Sequence, residues 1–539
     1  MHGSVPFSRS ALTSQRALWV LAAITLAGLV LRVVWAGQQS LWSDEALTLV
    51  IAKWPVQDLL VRPVDPTPGL YYLLHKWLIP DGGSLTAIRA ISIVAGTLSI
   101  PAIYVIGRLA IDRSAGLLAA ALLALSPALV DYSQEARVYA LEILLVLVSA
   151  AGLLAWVRRL GGAGGGLGLA TFAIATVLAF SAHLVSIFWV IPAMPLAFWA
   201  TVRRGTSSQK RLFLVCAALM ALGAGVEVQR LLWRVSLGGG FAWLTQASPI
   251  DALATWGRSL LPLGPFDDRM LLVAVLFVAA ALIAWRLAVH RDRWRAWSRE
   301  HEVGARVIAI MLLAPIGVWL IGFVLVPIFM PRTILLGVAG FILLLTLVVH
   351  LERKPWLAPA LALLFAVSLI LTGPVRPKED WNAVASVLKS NVRPGDAIVA
   401  CPDWKYPALR HAITVPLDAS VVTLFGDRMV LMERSIGHGD TWVWVRNYFR
   451  AFFEPQMRPL MKQPTVMPAR PAAMPAFRRA WLVESECSAE QRRLIGSWLG
   501  HGRWSAAFVS PATSQRAAIR VWRFDSDRAA QRDVVEVTD

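Results

Sequence analysis

Charge is scarce in this chain. Only 16% of its 539 residues are Asp, Glu, Lys or Arg, against 57% hydrophobic residues and a mean hydropathy of +0.59. That balance excludes an ordinary soluble domain and indicates a polytopic membrane protein. Cysteine is scarcer still. The three cysteines, Cys216, Cys401 and Cys487, are spaced wrongly for a zinc site, and no HExxH motif is present. The Gly-rich stretch "GGAGGGLG" (161–168) lacks the Gly-Lys-Ser/Thr ending and the preceding strand of a phosphate loop, so a cytoplasmic turn is expected there. No internal repeat is evident.

The charge that is present has a pattern. The formal net charge is +18, but the basic residues fall mostly in short loops between apolar runs. The positive-inside rule accounts for this better than a nucleic-acid partner does, and none is expected. About eleven spans are expected, each near the ~20 residues a bilayer needs. Their limits are 17–36, 86–107, 114–130, 138–157, 167–182, 184–202, 212–228, 270–289, 306–326, 333–350 and 356–373. Arg9 and Arg16 precede the first run, which is expected to be a retained signal anchor. Loops holding Arg108 and Arg113, Arg158 and Arg159, Arg203 to Arg211, the stretch 286–306, and Arg353 with Lys354 are assigned to the cytoplasm. The opposite face then carries the first outer loop (37–85), 131–137, a short link near His183, 229–269, 327–332 and everything after 374.

Residues 375–539 are less apolar and are expected to form a separate soluble domain beyond a membrane domain spanning 1–374. "DWNAVASVLKSNV" has helical spacing, "AEQRRLIGSWLG" ends a helix at Gly500, and "RPGDAIVAC", "RAWLVES" and "AIRVWRF" have the composition of strands. Alternating strands and helices suggest an α/β domain. The Pro- and Met-rich stretch 454–475 is expected to be irregular. Cys401 and Cys487 each close a predicted strand, and a bridge between them is compatible with an oxidising compartment; geometry decides.

Ionisable groups at membrane depth are costly and point to function. Here they gather on the outer face. Asp44 and Glu45 follow the first span, and Asp65, Tyr71 and Tyr72 lie in "DPTPGLYYLLHKW". Asp131, Glu135 and Arg137 lie in "DYSQEARVYAL", His183 sits between two spans, and Arg332 ends "PIFMPR". Each has a structural alternative. The acid pair can cap a helix, Glu135 and Arg137 can pair with each other, and the aromatic residues can be interfacial belt residues. Charges confined to one end of the spans suit a reaction at a membrane surface better than a pore through it. A transporter or flippase for a lipid-linked intermediate would need charges within the spans, and Arg32 and Glu227 lie toward span ends. A noncatalytic membrane scaffold would not need Asp44.

In this order, the "SDEA" block after the first span, "DPTPGLYYLLHKW", "YSQEARVYAL" and "PRT" before a late span resemble the GT-C-fold glycosyltransferases. The similarity is greatest to the bacterial family 39/83-like branch that includes aminoarabinose transferases and protein O-mannosyltransferase-like proteins. It covers roughly residues 15–350, and the "KEDWNAVASVLK" start of the outer domain is also like that branch. The resemblance implies an enzyme of the bacterial inner membrane with its active site and C-terminal domain facing the periplasm. Such an enzyme moves a sugar from a polyprenyl-phosphate donor to a lipid A, polysaccharide, lipid or protein acceptor with inversion. It implies that Asp44 is the general base and Glu45 its neighbour, orienting it or the acceptor. Arg332 and Arg137 are the candidate ligands of the donor phosphate, with Glu135, His183, Tyr71, Tyr72 and Asp65 lining the substrate site. No cofactor is required, and no metal cluster is visible; a divalent cation between the acids and the phosphate stays open. In one place the chain departs from its relatives: Thr67 and Gly69 stand where many carry a basic residue and a proline. That argues against an aminoarabinose donor and for a hexose or uronic-acid donor.

Overall fold

The computed structural model describes residues 14–61, 67–80, 82–236, 245–324, 327–373, 379–393, 396–401, 405–412, 419–423, 479–485, 487, 489–499, 502–509 and 518–526. The chain divides into two compact units. The first comprises residues 1–37, 56–234 and 239–376, and the second 38–55, 235–238 and 377–539.

The first unit is helical. Among the described residues, eight helices are long and apolar enough to cross a membrane: Ser14–Val33, Ala90–Ala110, Tyr139–Val157, Leu184–Arg204, Ser207–Gln229, Arg269–Val289, Glu302–Ile321 and Leu335–Glu352. The bent pair Arg113–Leu125 and Pro127–Ser133 makes a ninth if it is one span, and Gly166–Ala182 and Leu357–Thr372 are shorter apolar helices. Among the described residues each apolar run read from the sequence thus contains a helix, although two of these helices are short for a full crossing. The surface of the bundle fits hydrocarbon rather than water. Helix Arg269–Val289 buries only Leu272 and Val273, while Phe277, Leu282 and Trp285 face outward. Tyr139–Val157 and Leu335–Glu352 are largely buried. Close packing there depends on small residues: a Cβ at Gly107 would stand 2.8 Å from the Cα of Gly116 on the next helix.

The bent pair has a specific cause. Ser126 is extended (φ −65, ψ 116), as the residue before a proline must be, and Pro127 starts the next segment after a 61° bend. The break frees carbonyls at the end of the first segment. Arg32, in the last turn of the first helix and fully buried, donates to Ala124 O at 3.4 Å, Leu123 O at 3.5 Å and Gly28 O at 2.9 Å, and to Ser133 Oγ at 3.1 Å. This buried charge thus seals a helix break.

The second unit is an α/β domain with a five-stranded sheet. The strands are β1 (Asp396–Cys401), β2 (Ala419–Thr423), β3 (Arg479–Glu484), β4 (Gly502–Val509) and β5 (Arg520–Ser526), in the order β2-β1-β3-β5-β4. The first three are parallel and the last two join antiparallel. Every residue of β1 is buried, as expected for a central parallel strand covered on both faces. Ile398 and Ala400 pack with Trp381, Val384 and Leu388 of helix Trp381–Asn391 and with Leu409 of helix Tyr406–Ala412. Ala397 and Val399 pack with Ile495 and Leu499 of helix Ala489–Leu499. Cys401 and Cys487 are joined in a disulfide, with Cα atoms 5.4 Å apart. The expected irregular stretch 454–475 lies outside the described residues.

Residues 38–55, which the sequence suggests belong to the membrane domain, pack with this second unit. Ala46 of helix Ser43–Ala52 enters the core beneath Trp381 and Leu409.

Candidate active site

In the helical unit the site is built on a short non-helical link, residues 134–138, between Pro127–Ser133 and Tyr139–Val157. Arg137 in this link is 5% exposed. Ser92 Oγ donates to its carbonyl at 2.8 Å, which leaves Tyr71 as the donor in the 2.9 Å bond between Tyr71 Oη and Ser92 Oγ. The Arg137 guanidinium donates to Tyr72 Oη and to Thr67 Oγ1, both at 3.4 Å. Its central carbon lies 5.9 Å from the centre of the Tyr139 ring.

Arg332 arrives at the same ring from far along the chain, also at 5.9 Å. It sits in the turn Pro331–Thr333, which Thr333 ties together. Thr333 Oγ1 donates toward Ile328 O (2.7 Å) and Met330 O (2.9 Å) and accepts from Met330 N–H at 3.1 Å. Two guanidiniums on one phenol make a positive locus suited to an anion with several oxygens. His183 meets Tyr139 edge to face, with ring centres 5.5 Å apart, and its Nδ1 bonds Glu142 Oε2 at 2.5 Å. Glu142 and Arg332 line one small cleft together with Val185, Phe188 and Thr333.

Tyr71, Tyr72, Arg137, His183 and Arg332 are thus brought together in one unit. Glu135 is buried, and its carbonyl accepts the Arg137 N–H at 2.7 Å. Asp65 lies outside the described residues. Sequence reasoning missed Tyr139, which joins the two arginines, and Glu142, which holds His183. Glu142 carried a usable signal: it is a carboxylate inside an apolar run. The departure at Gly69 also has a local cause. A Cβ there would lie 2.0 Å from the carbonyl oxygen of Leu59, so no proline fits this backbone.

Asp44 and Glu45 belong to the second unit, in the first turn of helix Ser43–Ala52, where acidic side chains meet the positive end of the helix dipole. Asp44 is half-buried. Glu45 is fully buried, and its Oε2 accepts the Trp42 N–H at 3.3 Å. This bond caps the helix, a role the sequence left open for Ser43 or Asp44. Glu379 holds the other side of the turn. Its Oε2 accepts from Ser43 N (3.1 Å), Ser43 Oγ (2.5 Å) and Trp381 Nε1 (2.7 Å), and its Oε1 from Lys405 Nζ (2.5 Å). Its carbonyl accepts from Ser40 Oγ at 2.7 Å. Burial pushes the Glu379 carboxyl up, but the Lys405 ammonium and the hydrogen bonds from Lys405, Ser43 and Trp381 outweigh it. The net effect holds the group below its ordinary carboxylate range. Among the described residues no cluster of three or more His, Cys, Asp or Glu could hold a metal ion.

No family model and no curated protein matches the chain. Solved structures do. The apo structure of ArnT from Cupriavidus metallidurans superposes with a TM-score of 0.52 at 12% identity, over 94% of this chain and 98% of ArnT. ArnT bound to undecaprenyl phosphate gives 0.49 at 12% identity over the same shares. The S. cerevisiae protein O-mannosyltransferase Pmt1-Pmt2 complex bound to the sugar donor gives 0.33 at 17% identity, over 41% of this chain. This chain spans 33% of that protein's length, and the score is too low to bear on the fold. The ArnT likeness establishes the fold: the chain has the GT-C architecture of a multi-pass helical protein with a C-terminal α/β domain.

Proposed function

We propose that the chain is a membrane glycosyltransferase that takes a sugar from a polyprenyl-phosphate carrier and passes it to an acceptor with inversion. The carrying observation is the convergence of Arg137 and Arg332 on Tyr139. The shared fold supports the same class of chemistry, since ArnT has been solved with undecaprenyl phosphate bound.

The acceptor oxygen forms a bond to the anomeric carbon as the bond from that carbon to the phosphate oxygen breaks. The phosphate leaves with the electron pair, and the acceptor proton goes to Asp44. Charge grows on the phosphate during this step. Two guanidiniums fixed in advance stabilise it more than mobile water would. Glu142 orients the His183 ring toward the same locus. Thr67, whose hydroxyl already accepts from Arg137, stands where relatives often carry a cation and supports the reading of a hexose or uronic-acid donor rather than aminoarabinose. Lipid A, a polysaccharide, another lipid or a protein hydroxyl would each serve as acceptor. The active face is periplasmic, in the bacterial inner membrane.

The test is mass spectrometry of envelope glycolipids and glycans from cells with and without the gene, complemented by wild type or by Asp44→Asn. Loss of one sugar mass, restored only by wild type, is expected. Full restoration by Asp44→Asn, with normal membrane insertion, would remove Asp44 as the base.

A further inference from the structure

We infer that Glu379, from the second unit, is the positioning residue that fixes the backbone of Asp44. The inference rests on the reading of Asp44 as the base. One carboxylate oxygen of Glu379 receives three donors, two of them from Ser43, the residue before Asp44. The other oxygen receives Lys405. Glu379 is 5% exposed and Lys405 3%. The Glu45 carboxylate in turn accepts the backbone N–H of Trp42, the residue before Ser43. Asp44 therefore follows directly on two residues, Trp42 and Ser43, whose backbone N–H groups are held by buried carboxylates, while its own side chain is half-buried.

This arrangement does more than glue two segments together. Ala46 and Trp381 already provide apolar packing for that purpose. The bonds to Ser43 are directional, and they set where the first helical turn begins. A base must meet its proton at hydrogen-bond length, and a misplacement of about 1 Å costs on the order of 100-fold in rate. Lys405 compensates the charge that three donors alone would leave buried.

The charge and the acceptor can be separated. Glu379→Gln with Lys405→Met removes both charges but leaves a side-chain oxygen to accept from Ser43 and Trp381. Glu379→Leu with Lys405→Met removes both charges and the acceptor. The full-length variants are compared in cells for product formed per folded enzyme, using the glycan mass identified above. In detergent they are compared for hydrogen exchange at the amides of residues 43–48. The Gln/Met pair is expected to stay within about 10-fold of wild type, and the Leu/Met pair to fall a further ~10–100-fold with faster exchange. Equal activity in the two pairs overturns the inference. If the Leu/Met pair does not fold, Ser43→Ala decides: it deletes only the hydroxyl bond, and a 3–10-fold loss, on the order expected for one hydrogen bond, is expected. An unchanged rate in Ser43→Ala would overturn the inference. Asp44→Asn is run beside them. An active Asp44→Asn removes the reading of Asp44 and the inference with it. An inactive Asp44→Asn beside a fully active Leu/Met pair removes the inference alone.

Discussion

Arginine 332 illustrates what a single residue contributes. Its sequence context, a lone cation before a late span, fits a snorkelling anchor as well as a ligand. Its position against Tyr139, matched by Arg137 at the same distance, favours a shared anion. Replacing it with alanine should weaken use of the lipid-phosphate donor by about 10–100-fold, the range for losing a charge-assisted hydrogen bond, and leave acceptor use nearly unchanged. Titrating each substrate separately checks this, and equal loss toward both would count against a phosphate role. Arg137, Arg332 and His183 stood out because ionisable residues are rare in this chain, whereas Tyr71 and Tyr72 were picked out only by the block "DPTPGLYYLLHKW" and its resemblance to GT-C enzymes. Tyr139 was not, because an aromatic residue at a span edge looks like a belt residue. Glu379 was not, because it lies in a polar domain where carboxylates are common, and only the fold brings it to Ser43.

At the scale of elements, the apolar runs showed where helices lie, since hydrocarbon demands internally satisfied backbone. Strands β1, β3 and β5 were legible from their β-branched and aromatic residues. β4 was hidden because its residues are mostly exposed at a sheet edge, so no alternation betrays it. β2 is five residues long and leaves little pattern to find. Helix Leu70–Leu78 makes a testable case. It carries Tyr71 and Tyr72, and it starts beside Gly69, which lies against the Leu59 carbonyl. Gly69→Ala should cost ~1–3 kcal/mol through forced displacement and should reduce transfer, because Tyr72 would leave Arg137. Gly225, where an added Cβ meets nothing within 4 Å, provides the control. Gly225→Ala, inside helix Ser207–Ser236, should leave the thermal midpoint in detergent no lower, since alanine is favoured over glycine in a helix by ~0.5–1 kcal/mol, and a midpoint for Gly69→Ala equal to that of the control would refute the steric account.

For the whole molecule, the sequence divides at the end of the last span, because composition changes there. The fold divides differently. The early segment 38–55 belongs with the late domain, a pairing that composition cannot reveal, since it depends on long-range hydrogen bonds between Ser40, Ser43 and Glu379. Within that unit the Cys401–Cys487 bridge joins the ends of neighbouring strands across 86 residues. Replacing both cysteines with serine should lower the stability of the second unit by about 2–5 kcal/mol. Limited proteolysis should show the region after residue 379 cut faster, with the helical unit resisting as before; identical digestion patterns would mean the bridge contributes little.

The distance along the chain between Ser43 and Glu379 is 336 residues, and the ribosome makes them in that order. At about 5–20 residues per second, roughly 20–70 s pass between the two. During that interval helix Ser43–Ala52 has neither its carboxylate partner nor the core that receives Ala46. A nascent chain can insert its spans and gather Arg137 beside Tyr139 while Asp44 still lacks its frame. The second unit's later-made residues therefore complete the hydrogen bonding of Ser43, and a polypeptide that stops short of Glu379 would lack it.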